Sequence, residues 1–174
     1  MREVFKMKKF VVSAILCGIA IAYVSNPAQA ATPKISASVK NQLVYLIQEE
    51  KLARDVYNAL AANGASQKFS NITPSEQAHM DALALILKTY GIANPTIGLK
   101  AGSFKDAKLT SLYKSVMAKA VKSPADAIAV GILIEKTDIA DLKKLIKLVT
   151  QDDIIAALNL LLSGSEKHLA AFSR

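Results

Sequence analysis

The chain holds one cysteine, Cys17, and that lies in an apolar run near the N-terminus. Past that run no disulfide can form, so the fold must be held by its core or by a bound ligand. Aromatic residues are only 6% of the chain, and its lysines are scattered rather than clustered. A nucleic-acid surface would need a basic patch with aromatics among it, so nucleic-acid binding is not expected. No stretch shows sustained strand alternation, no internal repeat occurs and no tract is of low complexity, which removes sheet folds and solenoids. Histidine occurs twice, as His79 and His168. Both fall within apolar helical patterns.

The first 30 residues read as a leader rather than as fold. Arg2, Lys6, Lys8 and Lys9 form a basic start, Phe10 to Val24 is apolar, and Ala28 and Ala30 occupy the small-residue positions of a cleavage site. This is the three-part pattern of a secretory signal, and its apolar run is short for a membrane span. Cleavage near Ala30 predicts an exported protein, periplasmic or secreted, with a single domain over 31–174 that does not span a membrane. An uncleaved anchor is the alternative. Without four basic residues and Glu3, the formal charge falls from +8 to +5, with 18 Lys and Arg against 13 Asp and Glu. Such a mild excess fits solvated helix faces.

Beyond the leader, glycine and proline punctuate helical text. A first helix (A) is expected from about Ser38 to Asn63, stopped by Gly64. A second (B) begins at Thr73-Pro74 and ends at Gly91. A long connection follows, carrying a short helix from about Ala107 to Val121. A third long helix (C) begins at Ser123-Pro124, with Asp126 completing a capping box, and runs to about Val149. The fourth (D) begins at Thr150, with Asp153 in the same role, and runs toward Phe172. The expected fold is all-α: a four-helix bundle with one long B–C crossover containing a short extra helix.

Each long helix carries ionisable residues inside its apolar stripe. In A, Glu50 interrupts Val39, Leu43, Leu46, Ala53, Tyr57 and Leu60. In B, Glu76 and His79 begin the stripe of Leu83, Ile86 and Tyr90. In C, Glu135 and Asp138 sit among Ile128, Leu142 and Leu145, and in D, Ser165 and His168 follow Ile154, Leu158 and Leu161. Burying an unpaired carboxylate costs several kcal/mol, and several of them would unfold a small domain. A dimetal centre compensates them directly. It needs one Glu from each of two helices and a Glu-x-x-His pair from each of the other two. Here A offers Glu50, B Glu76 and His79, C Glu135, and D His168, with Ser165 where the last carboxylate is wanted.

The motifs themselves resemble known ones. "EKLARDVY" at 50–57 is similar to the Glu-x-x-Ala-Arg-x-x-Tyr of rubrerythrin-type ferritin-like helices. Together with "NITPSEQAHM", "GILIEKTDIADL" and "GSEKHLAAF", it resembles the ferritin-like family known as domain of unknown function 2202, over about residues 40 to 172. The resemblance implies a ferritin-like bundle and a dimetal site with Glu50, Glu76, His79, Glu135 and His168 as ligands. It also implies Tyr57 as a hydrogen-bond donor behind them. Asp138, one turn after Glu135, could supply the oxygen missing at Ser165; a water or one metal fewer would also answer. Hard carboxylates mixed with imidazoles suit iron or manganese, with zinc as a further fit. The implied chemistry, if this is an enzyme, is that of a di-iron oxidoreductase, ferroxidase- or peroxidase-like. The missing cysteine-rich segment argues against rubrerythrin-style peroxide reduction. Self-association is left open.

Other roles for the same residues are specific. Glu76 completes Thr73-x-x-Glu76, a capping box. Glu49, off the stripe, reads as solvated or lysine-paired. Asp138 faces solvent if helix C breaks at Thr137, and Gly164 would end helix D and leave His168 on a tail. In that case the chain is a metal-free helical binding or envelope-associated module, its buried charges met by lysines, Arg54, Tyr57 and one another.

Overall fold

A computed structural model describes residues 34–174, so the expected leader lies outside the described residues. The chain there is all-helical, with no strand among the described residues: α1 Ala37–Ala62, α2 Gln67–Thr89, α3 Ala107–Ala120, α4 Pro124–Ile146 and α5 Asp152–Phe172. None of these helices is long and apolar enough to cross a membrane.

Helix ends follow local chemistry. Ser36 Oγ accepts from the Val39 amide at the start of α1. Gly64, at φ 70°, takes the left-handed turn after it, a conformation that costs glycine nothing. At α4, Ser123 Oγ accepts from the Asp126 amide and donates to the Asp126 carboxylate, as the capping box predicts. Two expectations fail. α2 starts at Gln67, capped by Ser66, so Pro74 lies inside the helix and Thr73 caps nothing. Instead the Thr73 hydroxyl bonds the Phe69 carbonyl. The extra turns form because Phe69 and Ile72, both buried, extend the α2 stripe backward in phase. At α5 the cap is Gln151, with no side-chain capping bond, and Asp153 accepts from the hydroxyl of Tyr90 at the C-terminal end of α2.

α1 packs on α2 and α4, α5 packs on the same two helices, and α3 lies against α1 and α4. The apolar interior falls into two clusters. One holds Leu43, Leu46, Leu83, Leu142, Leu145, Leu158 and Leu161, and the other Val56, Tyr57, Phe69, Val130 and Phe172. Along every long helix, the ionisable positions lie between the residues of one cluster and those of the other. The core is therefore two apolar blocks with a polar layer between them. In the second block the rings of Tyr57, Phe69 and Phe172 meet with centroids 5.2–5.5 Å apart.

The crossover is tied to α1 by buried polar groups. Gln48 Oε1 accepts from the Lys105 and Asp106 amides, at 2.9 and 3.1 Å. Lys51, almost fully buried, donates to Asp55 and to the Lys100 carbonyl and lies over the Phe104 ring. Asp55 also accepts from the Gly102 amide and from Arg54. The "EKLARDVY" stretch thus does two jobs on two faces: Glu50 and Tyr57 face the polar layer, while Lys51 and Asp55 hold the connection.

Candidate metal centre

Glu50, Glu76, His79, Glu135 and His168 all reach the polar layer, and all are at least nine-tenths buried. They form two triads of close ligand atoms, one of Glu50, Glu76 and His79 and one of Glu76, Glu135 and His168, with every pair within 4.8 Å. Glu76 belongs to both. His79 Nδ1 stands 3.2 Å from Glu50 Oε2 and 3.3 Å from Glu76 Oε2. His168 Nδ1 stands 2.8 Å from Glu76 Oε1 and 3.5 Å from Glu135 Oε1. The imidazoles stack with centroids 5.6 Å apart. Tyr57 donates to Glu135 Oε1 across 2.7 Å. Each of these positions is one that the stripes place on a core face.

Several atoms here lack partners. Glu50 Oε1, Glu76 Oε1, Asp138 Oδ1 and His168 Nδ1 are buried without a hydrogen bond. Of these, Glu76 Oε1 and His168 Nδ1 face one another across 2.8 Å as an ion pair, so the atoms left wholly without a partner are Glu50 Oε1 and Asp138 Oδ1. Buried polar atoms are normally satisfied, and orphans of this kind call for an ion or a water. Oxygen and imidazole donors converging on two points are the donor set of a hard or borderline divalent cation.

The electrostatics agree with the crowding. Burial, then Asp138 and Glu76, push the Glu50 carboxyl well above the usual range. Burial also opposes the charge on Glu76, but its contacts to His168 and His79 outweigh that and hold it down at about 2. Burial lifts Glu135 to about 7 against the pull of His168, and lifts Asp138 to about 6 against the Ser165 hydroxyl. His168, disfavoured as a cation by burial, is pushed up to about 9 by Glu135 and Glu76. The layer holds more acid than its two imidazoles can neutralise, so without further positive charge it must retain protons.

Five of the alternative readings of the sequence change here. Glu76 is not a capping residue; it is the shared member of both triads. Asp138 is buried on an unbroken α4, and Ser165 Oγ donates to its Oδ2 at 2.6 Å. Gly164 does not end α5 but sits within it, where a Cβ would come within 2.3 Å of His79 Nε2. The glycine opens room for the ring that Glu50 and Glu76 hold on its other side. Glu49 is neither solvated nor lysine-paired. It is buried, and burial together with Asp141 and Asp138 pushes it up to about 9. Arg54, offered as a partner for the buried charges, bonds Asp55 and Gln77 instead.

Fold and site define a class: an all-helical protein whose core is interrupted by a buried carboxylate–histidine cluster. Residues 39–174 match the family described as "Uncharacterized protein domain (DUF2202)", and the chain belongs to that family. It is 43% identical over 140 residues to the uncharacterized protein MJ0754 of Methanocaldococcus jannaschii, covering 80% of this chain and 76% of that one. The crystal structure of hypothetical protein MJ0754 from Methanococcus jannaschii matches with a TM-score of 0.78 at 42% identity, over 80% of each chain.

Proposed function

We propose that this protein is a ferritin-like four-helix bundle holding a dinuclear metal centre, with Glu76 shared between the ions. His79 with Glu50 would hold one ion, His168 with Glu135 the other. Asp138 stands where it can complete the set that Ser165 leaves short. The observation that carries this reading is the pair of triads meeting at Glu76, with orphaned buried atoms on Glu50 and Asp138.

Bound iron or manganese would supply one-electron redox chemistry toward ferrous iron, oxygen or peroxide. The chain's own residues prepare the place. Tyr57 orients Glu135 and can hold a proton beside it. Gly164 leaves a path to His79, through a surface pocket of about 350 Å³ lined also by Ser75, Ser163, Lys167 and His168. The two apolar blocks exclude water above and below. The leader, if removed as its pattern predicts, would place this chemistry outside the cytoplasm. Of the groups the metal-free alternative calls on, Arg54 and Lys51 are engaged by Asp55 away from the layer, whereas Tyr57 and the two imidazoles do meet its carboxylates.

Metal analysis of the purified protein against a Glu50→Ala/His79→Ala double variant tests the reading. Wild type should carry up to two metal equivalents and the variant far fewer. Addition of iron, manganese or zinc after chelation should raise Tm in wild type; saturation at a hundred times Kd is worth about 2.7 kcal/mol. Equal metal content in the two proteins, with no change of Tm on chelation, would overturn it.

A further inference from the structure

A second pocket meets the polar layer from the opposite side. α1, α3 and α4 enclose a cavity of about 100 Å³. Its walls are Leu52, Leu109, Val116 and Ile134, all buried, and Leu112 and Leu133 are partly exposed at its mouth. The remaining lining is polar: Thr137, Glu49 and Asp138. Glu49 and Asp138 are both at least nine-tenths buried, and each keeps one oxygen, Oε2 and Oδ1, without a hydrogen-bond partner. No lysine or arginine ion pair reaches either of them among the described residues.

An aliphatic wall with two buried acids in its lining is a site with two ends. The apolar part takes a hydrocarbon chain. The acidic part favours a hydrogen-bond-donating cation, whose charge draws the proton off the buried acid, and it offers a carboxylate or phosphate no cationic partner. An apolar cavity of about 150 Å³ accommodates benzene, so about 100 Å³ with an open mouth suits a chain of roughly four carbons. We infer that this pocket binds a short primary alkylammonium ion, with its ammonium on Glu49 and Asp138 and its tail against Leu109, Val116 and Ile134. The crossover helix α3 then has a purpose beyond covering the core, since it supplies one wall of the site. Asp138 also faces the proposed metal centre, where its role would be to ligate a metal ion in competition with the amine. That role rests on the metal-centre reading, whereas the binding itself does not.

Titration of the metal-free protein with n-butylammonium, ethylammonium and n-butyrate, followed by NMR or calorimetry, separates the two claims. Each added methylene should tighten binding about fourfold, the equivalent of about 0.8 kcal/mol, so butylammonium should bind about fifteenfold more tightly than ethylammonium. Butyrate should not bind. Leu112→Trp and, independently, Leu133→Trp should fill the mouth and abolish binding while leaving metal content unchanged. Glu49→Gln should reduce the preference for ammonium over butyrate. Butyrate binding as well as butylammonium, or wild-type affinity in both tryptophan variants, would overturn the proposal. Loss of metal binding with amine binding intact would sink only the metal-centre reading.

Discussion

Ser165 Oγ donates to Asp138 Oδ2 across 2.6 Å, joining α5 to α4. Ser165 is fully buried and occupies the position one turn before His168, where a second Glu-x-x-His pair would carry its glutamate. Asp138 brings a carboxylate to that place from the neighbouring helix, and the serine hydroxyl holds it there. We therefore expect Asp138→Ala to lower metal content, and Ser165→Ala to weaken metal affinity about 10–100-fold, as is usual for groups that orient a ligand. Ser165→Glu alone should not tighten binding, because its carboxylate would meet Asp138. The exchange Asp138→Ser with Ser165→Glu should restore binding. Metal titrations of the four variants check this, and a Ser165→Glu protein that binds more tightly than wild type would show that Asp138 takes no part.

Gly164 faces His79 so closely that a methyl group has no room, with a Cβ only 2.3 Å from Nε2. Gly164→Ala should displace the ring from Glu50 and Glu76, reduce metal occupancy, and cost about 1–3 kcal/mol of stability through overpacking. Gly131→Ala is the matched control. Its Cβ would meet the Phe172 ring at 2.9 Å, in the apolar block. It should lower Tm while leaving occupancy near that of wild type. Equal metal loss in both variants would mean that global destabilisation, not the position of His79, governs occupancy.

Without metal, stability should fall as pH rises from 6.5 to 9. His168 is pushed up to about 9 by its carboxylate partners, so its stabilisation is complete below its unfolded value near 6.5 and is lost as pH rises through 9. Glu49, raised to about 9 by burial, acts with the same sign, because the folded state keeps a proton the unfolded chain has released. Glu76, held at about 2, opposes this only on the acid side, where its contribution disappears as pH falls from 4.5 through 2. Saturating metal should reduce or reverse the alkaline decline, since ligands bind cations in their deprotonated forms. Melts from pH 4 to 9 with and without chelator measure both slopes, and a metal-free Tm that climbs between pH 6.5 and 9 would contradict the assignment.

Gln48→Ala should free the crossover. It removes the acceptor for the Lys105 and Asp106 amides, and unpairing such groups costs about 1–3 kcal/mol. Hydrogen exchange should accelerate at Lys105, Asp106 and the start of α3 while remaining slow in α5. Unchanged protection at those two amides would show that Gln48 is not what holds them.

Helix number, type and approximate limits were legible in the chain because each stripe repeats at three and four residues and most ends carry their own caps. The same phase picked out Glu50, Glu76, His79, Glu135 and His168 as inward-facing. A residue's phase on its helix is a local property, set by the geometry of one turn. Where the local signals competed, they misled. Thr73-Pro74 imitates a helix start, but the backward continuation through Phe69 and Ile72 prevailed, since burying two large side chains outweighs a lost backbone hydrogen bond.

What one helix does to another was not legible. No spacing within α5 indicates that Ser165 holds an aspartate of α4, or that Gly164 makes room for a histidine of α2. Glu49 lies off its stripe and looked solvated, yet it is buried where α1 meets α4, the side on which α3 packs. Arg54, one turn from Glu50 in sequence, turns instead to Asp55 and Gln77. Sequence alone determined which residues could face the interior, because the helical repeat is written in each segment separately. Only the tertiary structure decided which of them meet, because the distances between side chains on different helices depend on how the helices pack.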